Sequence, residues 1–186
     1  MPVLESPSAT RAEELLLRSG AGDVPHPGGT LLAHLTRVYS RLADWEARPA
    51  LRLAGLCHAF YSTDGFTTAL LPLERRGELA AVIGDEAEAI VHLYAACGRS
   101  ATYPGLDRPS PVFHDRFTGR EFTPTDRQLR DFAELTAVNE LDIARVDPDF
   151  RQRWGAGLLA LFSRLRPLLS EHAWADCEEV LAPRSG

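Results

Sequence analysis

Polar side chains interrupt three segments that otherwise have the pattern of apolar helices. These side chains are of types that can hold a metal or move protons. His34 and His58 lie in two of these segments, and Asn139 and Asp142 share one face of a third. Burying an imidazole, an amide or a carboxylate costs several kcal/mol unless each finds a partner. We therefore expect these side chains to meet. Neutral imidazoles with a carboxylate can hold a divalent metal, and the same groups can move protons.

The two histidines are predicted to lie on consecutive helices. Thr30 is a good N-cap, and apolar residues then recur every three or four positions on the stripe that carries His34: Leu31, Leu35, Val38, Leu42 and Trp45. Pro49 favours the first turn of the next helix, which holds His58 near its end. This second helix is apolar on nearly every side, so we expect it at the centre of a bundle.

Three more helices are predicted around the two that carry His34 and His58: one at the N-terminus and two after His58. The capping-box pattern Thr10-x-x-Glu13 predicts a first helix that ends at Gly20. The segment RRGELAAVIGDEAEAIVHLYAACG predicts two helices that are divided near Gly84 and Asp85, the second of which contains His92.

The remainder of the chain predicts one hairpin and the C-terminal helices. The segment VFHDRFTGREF predicts a small β-hairpin near residues 111–123, the one place where we expect strand. Thr123-Pro124 favours a helix start, and Asp147-Pro148 begins helices over 147–182 that should cover the bundle. The fold class is therefore predicted to be all-α, with 1–186 forming a single helical domain.

Composition excludes several classes of function. All 20 basic residues are arginine, because the chain of 186 residues contains no lysine. Schiff-base chemistry, P-loop phosphate binding and pyridoxal phosphate attachment need lysine and are therefore excluded. A net charge of -6 argues against a nucleic-acid partner, since binding to a phosphate backbone usually requires clustered positive charge.

The cysteines and the N-terminus indicate the compartment. Cys57, Cys97 and Cys177 are widely spaced, odd in number and without a CxxC pair, so we predict reduced core thiols. The N-terminal segment lacks the basic start and apolar run of a signal peptide, and no stretch reaches the roughly 18 apolar residues of a membrane span. We expect a cytoplasmic protein with a small-molecule substrate and no membrane partner, and a homo-oligomer stays open.

The order of these residues resembles the HD superfamily of all-α, metal-dependent phosphohydrolases, and most of all the hydrolase domain of the stringent-response alarmone enzymes. Those enzymes have a histidine on one helix, a His-Asp pair on the next buried helix and a final aspartate on a later helix. His34 matches the first histidine, LAGLCHAFYSTDGF matches the segment with the pair, and IGDEAEAIVHLYAACGR is similar to the helix that follows. The resemblance covers roughly residues 30–145. The run after His58 also resembles an uncharacterised HD-like family.

The resemblance implies a metal site and a hydrolase activity. The ligands would be His34, His58 and Asp142, and the ion would be Mn, Fe or Zn. Three ligands of this kind would leave an open position for hydrolysis. Either Asp142 or Asn139 could take the place of the last aspartate of the family.

The sequence departs from the family pattern beside His58. The aspartate of the pair is Ala59, the Glu-Asp that would follow is Ser62-Thr63, and Asp64 stands one residue further on. Without the carboxylate at Ala59, a site that holds no metal is an equally open prediction. Ordinary alarmone hydrolysis is not expected.

The segment after His58 supplies further candidates. His58, Tyr61 and Asp64 could act as acid and base, and Thr63 could bind the substrate. For Asp64, a turn beside Gly65 explains the residue as well as catalysis does. Tyr61 is by type more often a core aromatic than an acid, since an unperturbed phenol titrates near pH ~10.

Candidates also lie on the next helix and after it. His92 could move protons, but the small alanines on its helix face favour close packing. Arg99 and Tyr103 could bind an anionic substrate, although an arginine that caps the helix is the commoner arrangement.

One amide and two loop histidines complete the set. Asn139 is the single asparagine and a poor helix former, so its place on an apolar face predicts a specific hydrogen bond, structural or to a substrate. His26 and His114 lie in predicted loops and are expected at the surface, although either loop could cover the site.

Three classes of function are consistent with these residues. The first is an enzyme for a small molecule, either metal-dependent or a metal-free lyase, isomerase or cyclase in the same pocket. The second is a non-catalytic module that binds a metabolite where the metal motif has been lost, for which Ala59 is the best evidence. The third is a scaffold whose histidines only pack. We favour the enzyme because the polar residues converge within apolar helices.

Overall fold

A computed structural model describes residues 6–183, most of which are helical. The helices are α1 (Pro7–Arg18), α2 (Leu31–Asp44), α3 (Pro49–Cys57), α4 (Arg76–Ile83), α5 (Asp85–Ala96), α6 (Arg99–Thr102), α7 (Asp126–Val146), α8 (Pro148–Arg164) and α9 (Glu171–Leu181). Three short 3-10 turns lie at Leu73–Arg75, Tyr103–Gly105 and Arg166–Leu168. The all-α fold class is confirmed.

Most helix starts follow the predicted capping residues. Thr30 caps α2 by accepting from the backbone N–H of Ala33, and Pro49 begins α3. Asp147 caps α8, as its position before Pro148 predicts. Helix α7 begins slightly later than predicted, because Thr125 rather than Thr123 is its cap.

The predicted capping box of α1 is wrong. Ser6 is the N-cap, and its hydroxyl oxygen accepts from the backbone N–H of Ala9. Pro7 occupies the first turn, where its missing N–H is tolerated. Thr10 therefore lies inside the helix, and its hydroxyl bonds the carbonyl of Ser6.

The structure has the predicted hairpin and one more. Strands β3 (Phe113–His114) and β4 (Glu121–Phe122) pair antiparallel, which confirms the hairpin expected near 111–123. Strands β1 (Pro25–His26) and β2 (Gly29–Thr30) form a second antiparallel pair, so the prediction that strand occurs in one place is wrong.

Gly28 explains how this second hairpin, which we call the β1-β2 hairpin, docks. Its φ of 77° suits the turn between the strands and is unfavourable for residues with a side chain. A Cβ atom at Gly28 would lie 2.9 Å from Cβ of Val146, at the end of α7. The absence of a side chain therefore lets the turn contact α7.

The packing places α3 at the centre, as its apolar sequence predicts. Helix α3 contacts α1, α2, α4, α5 and α7, while α8 and α9 pack on α7 and on each other. Cys57, Cys97 and Cys177 are free and buried, which agrees with the predicted core thiols. Within residues 6–183, no helix is long and apolar enough to span a membrane.

Candidate functional site

The two histidines meet at Asn139. His34 comes from α2, His58 directly follows α3, and Asn139 lies in α7; all three are buried. Oδ1 of Asn139 lies 3.2 Å from Nε2 of His34 and 3.1 Å from Nε2 of His58. The two imidazole centroids are 5.4 Å apart, with their planes at 80°. The structure thus brings together polar residues separated by up to 105 positions in the sequence.

Asp142 orients His34 from the other side of the ring. Oδ2 of Asp142 lies 2.6 Å from Nδ1 of His34, and Arg37 donates to both carboxylate oxygens at 2.7 and 2.8 Å. Burial alone would raise the pKa of Asp142, but the bonds to His34 and Arg37 lower it below its ordinary value. The ionised carboxylate therefore holds a proton on Nδ1 of His34 and leaves Nε2 facing Asn139.

His58 is held as a neutral ring. Burial, followed by the proximity of His34, lowers its pKa from 6.5 to about 3. Nδ1 lies 2.8 Å from the carbonyl oxygen of Gly55, which can only accept, so the single proton is on Nδ1. Nε2 then presents a lone pair beside Asn139. That lone pair faces Oδ1 of Asn139, which is itself an acceptor, so it needs a donor that a ligand can supply.

His26 adds a third imidazole that the sequence did not place at the site. It lies in strand β1 of the β1-β2 hairpin, and its ring stacks on His34 with centroids 4.1 Å apart. Burial, followed by the proximity of His34, lowers its pKa to about 4. Its Nδ1 is buried and has no hydrogen-bond partner among residues 6–183. His26 is half-buried and the hairpin that carries it covers His34, which is the alternative to a surface position that the sequence left open.

The three histidines and Asn139 line one cavity of about 480 Å³. Besides the three histidines and Asn139, its polar wall contains Thr63, Arg99 and Glu140. Its apolar wall includes Leu31, Ala59, Phe66, Ile143 and Phe150. A cavity of this size, with a few convergent polar groups and an apolar remainder, suits a small organic molecule.

Two predicted catalytic residues lie away from this cavity. The hydroxyl of Tyr61 donates to Glu88 at 2.9 Å, and burial, with this bond, raises the pKa of the phenol. Asp64 accepts from the backbone N–H of Arg99 at 2.7 Å, which is the turn role. Neither position supports the proton-transfer roles predicted for Tyr61 and Asp64.

His92 and Tyr103 also lie outside the cavity wall. His92 packs against Phe117 with ring centroids 5.9 Å apart, and burial lowers its pKa. Tyr103 packs edge-on against Phe132 and lies beneath the guanidinium of Arg99. Packing, rather than catalysis, thus explains His92. Tyr103 supports a predicted binding residue instead of lining the site.

The donors do not match the predicted metal site. Asp142 contacts Nδ1 of His34, on the side of the ring opposite Nε2, and both its oxygens are occupied by Arg37. An ion between the Nε2 atoms of His34 and His58 would meet the neutral amide oxygen of Asn139 rather than the carboxylate of Asp142. Over residues 6–183, no group of three or more His, Cys, Asp or Glu side chains is placed to hold a metal ion. The structure therefore does not assemble His34, His58 and Asp142 as ligands.

Sequence reasoning missed two polar residues of the wall, His26 and Glu140. Glu140 is adjacent to Asn139 in the sequence, so its proximity to the site was a usable signal. Its Oε1 accepts from Nδ2 of Asn139 and from Nη1 of Arg99, each at 3.2 Å. His26 lies in a segment rich in glycine and proline, which left a surface loop and a loop over the site equally open.

One family model matches the part of the chain that supplies the N-terminal residues of this site. A family model described as a domain of unknown function (DUF6817) matches residues 15–99, and the chain is similar to that family there. The matched segment contains all three cavity histidines and Arg99, but it ends before Asn139. No curated protein and no solved structure matches the chain.

Proposed function

We propose that this chain is a small-molecule enzyme that works by acid–base catalysis without a bound metal, as a lyase, isomerase or cyclase. The observation that carries the proposal is the position of His34, whose Nδ1 is held by Asp142 while Nε2 lies at the cavity wall. A carboxylate that fixes one nitrogen of a histidine prepares the other to take and return a proton.

His34 is the proposed catalytic base. When Nε2 takes a proton from the substrate, the imidazolium that forms is stabilised by Asp142 at 2.6 Å. The bidentate bond from Arg37 keeps that carboxylate in one orientation through the cycle. The protonated ring can then return the proton to another atom of the substrate, which is the requirement for isomerisation or elimination.

His58 and Asn139 have supporting roles in this proposal. With its proton on Nδ1, neutral His58 offers a lone pair that can accept a hydrogen bond from a substrate N–H or O–H. Oδ1 of Asn139 lies beside both Nε2 atoms while Nδ2 donates to Glu140, so this oxygen is a further acceptor for a substrate N–H or O–H. Thr63 and Arg99 remain proposed binding residues because both line the cavity.

A deuterium-exchange assay tests the proposal. The protein would be incubated in D2O and a chelator with small carbonyl compounds that fit the cavity, and proton NMR would follow exchange and conversion. We expect wild type to act on at least one compound and His34→Gln to lose that activity. Asp142→Asn should lower the rate by about 10²–10⁴-fold, because an amide N–H facing Nδ1 favours the wrong tautomer.

The control is His172→Gln, which removes an exposed histidine of α9 and should leave the rate unchanged. Exchange that persists in His34→Gln, or the absence of any active compound, would contradict the assignment of the base. Activity that disappears with chelator and returns with Mn, Fe or Zn would overturn the metal-free mechanism.

A second candidate is a non-catalytic module that binds a metabolite in the same cavity. Ala59, which lines the cavity where the HD resemblance implies a carboxylate, favours it. This module would bind ligands without exchanging their protons. Binding that survives in His34→Gln, together with no exchange in wild type, would support the module over the enzyme.

A further inference from the structure

Two arginines of the structure, Arg37 and Arg76, each bind both oxygens of a carboxylate. Arg37 donates to both oxygens of Asp142 at 2.7 and 2.8 Å, and Arg76 donates to both oxygens of Glu88 at 2.6 and 2.7 Å. These are short, two-pronged contacts between a planar guanidinium and a carboxylate, the geometry in which such pairs are strongest.

Arg99 is bound more loosely than these two. Its Nη1 reaches Oε1 of Glu140 at 3.2 Å, and its Nη2 reaches the hydroxyl of Tyr94 at 3.3 Å. Both contacts are long, and the contact to Glu140 has one prong. A guanidinium has five N–H donors, so Arg99 keeps donor capacity at the cavity wall, where its side chain is 24% exposed.

The surroundings of Arg99 hold it at the wall despite this loose pairing. Its guanidinium lies over the rings of Tyr94 and Tyr103, 5.8 and 6.0 Å from their centroids. A Cβ atom at Gly65 would lie 3.0 Å from Nη1, so the glycine permits the close approach of the arginine to this loop. Arg99 is thus positioned by its neighbours while its donors stay available.

We propose that the substrate carries a carboxylate that Arg99 binds, with its apolar body against Phe66, Ile143 and Phe150. This inference rests on the proposed function and names the class of molecule on which it acts. A carboxylate matches the planar guanidinium. Glu140, in contact with Arg99, opposes a doubly charged phosphate more than a singly charged carboxylate.

The connected side chains also link the proposed carboxylate site to the two histidines. Arg99 contacts Glu140, Glu140 contacts Asn139, and Asn139 contacts both histidines. A molecule bound to Arg99 therefore extends along Glu140 and Asn139 toward His34.

Calorimetry with matched probes tests this inference. Hexanoate and phenylacetate would be compared with hexanamide and phenylacetamide, which have the same shape without the charge, and with phenyl phosphate. Wild type should bind each carboxylate at least about tenfold more tightly than its amide and than phenyl phosphate. Arg99→Gln should lose the preference for the carboxylate over the amide. Arg99→Lys, which keeps the charge without the planar fork, should retain part of it.

Controls separate a lost ligand contact from a lost fold. Arg120→Gln removes an exposed arginine near the turn of the other hairpin and should retain the full preference. Gly65→Ala should weaken carboxylate binding by displacing Nη1 of Arg99. Thermal melting of each variant would show that it is folded.

The outcomes also distinguish this inference from the proposed function. Equal binding of acid and amide, tighter binding of phenyl phosphate, a preference that survives in Arg99→Gln, or binding of neither carboxylate would overturn the inference. His34→Gln should bind the carboxylates as wild type does. Carboxylate binding without proton exchange in wild type would overturn the catalytic proposal and leave the carboxylate site standing.

Discussion

Arg76 and Arg99 both place a guanidinium against the helical core, but their pairing differs. Arg76 binds both oxygens of Glu88, which also accepts from the hydroxyl of Tyr61 at 2.9 Å. We call these three residues the closed cluster. Arg99 has one contact of 3.2 Å with Glu140, which continues through Asn139 to His34 and His58. We call these five residues the open network.

The difference separates structural pairing from a site prepared for a ligand. In the closed cluster, short contacts join an arginine, a carboxylate and a phenol, and a polar group satisfied in this way stabilises the fold around it. In the open network, contacts are longer and a lone pair and N–H donors face a cavity. A buried polar group that lacks a partner raises the free energy of the protein. The binding of a ligand that supplies the partner is therefore favoured.

The largest difference between the open network and the closed cluster is expected at acidic pH, where the free energy of unfolding should depend on His58. Its pKa falls from 6.5 to about 3 on folding, so between these values the unfolded chain binds a proton that the folded chain does not. The free energy of unfolding should therefore fall as pH decreases from about 6.5, by about 1.4 kcal/mol per unit. Urea unfolding of wild type and His58→Gln measures this: the variant should show the shallower slope.

His172→Gln controls for the loss of one imidazole from the chain, because it lies at an exposed position. An identical pH slope in wild type and His58→Gln would mean that His58 is not held neutral by burial. The closed cluster is not expected to add to this slope through Tyr61, because burial and Glu88 raise the pKa of that phenol.

Glu88→Ala should give the next largest effect. The substitution leaves the hydroxyl of Tyr61 and the guanidinium of Arg76 without their acceptor, and we expect a loss of about 3 kcal/mol in the free energy of unfolding. Urea denaturation measures the change. Glu78→Ala is the control, since it removes the partner of the exposed Arg75 and should have no resolvable effect. Equal losses in the two variants would remove the distinction made for the closed cluster.

Glu140→Gln should have the smallest effect on stability. The amide keeps the shape of the side chain and can still accept from Arg99, so the loss should be about 1 kcal/mol. Removing the charge should strengthen the binding of hexanoate, measured by calorimetry, because Arg99 then has no competing carboxylate. Weaker hexanoate binding would show that Glu140 belongs to the closed type of pairing. Glu179→Gln, at an exposed glutamate of α9, is the control.

Much of the fold could be predicted from local signals. Thr30 and Pro49 set the starts of α2 and α3, and the all-round apolar pattern of α3 indicated its central place. These are properties of a few neighbouring residues, which the sequence shows directly. The meeting of His34 and His58 could also be expected, because two buried imidazoles need polar partners.

What could not be predicted depends on direction and on long-range packing. The sequence placed Asp142 near His34, but it could not show which nitrogen the carboxylate would contact, and that choice separates a metal ligand from an orienting residue. Nor could it show that the β1-β2 hairpin stacks His26 on His34. The choice of Thr10 over Ser6 as a cap failed because Thr10-x-x-Glu13 matches the capping box, whereas Ser6 is followed by Pro7 in the first turn and has no acidic or amide residue three positions on.

Gly28 ties the β1-β2 hairpin, and with it the His26 wall of the cavity, to the end of α7. A side chain there would have to displace either Val146 or the turn, and next to Gly28 the carbonyl of Pro27 accepts from Arg37, which also holds Asp142. The width of the cavity and the orientation of the proton-transfer residues are therefore coupled through this turn, since His26 stacks on His34 and Arg37 bonds both Pro27 and Asp142. A substitution at Gly28 is expected to change both together.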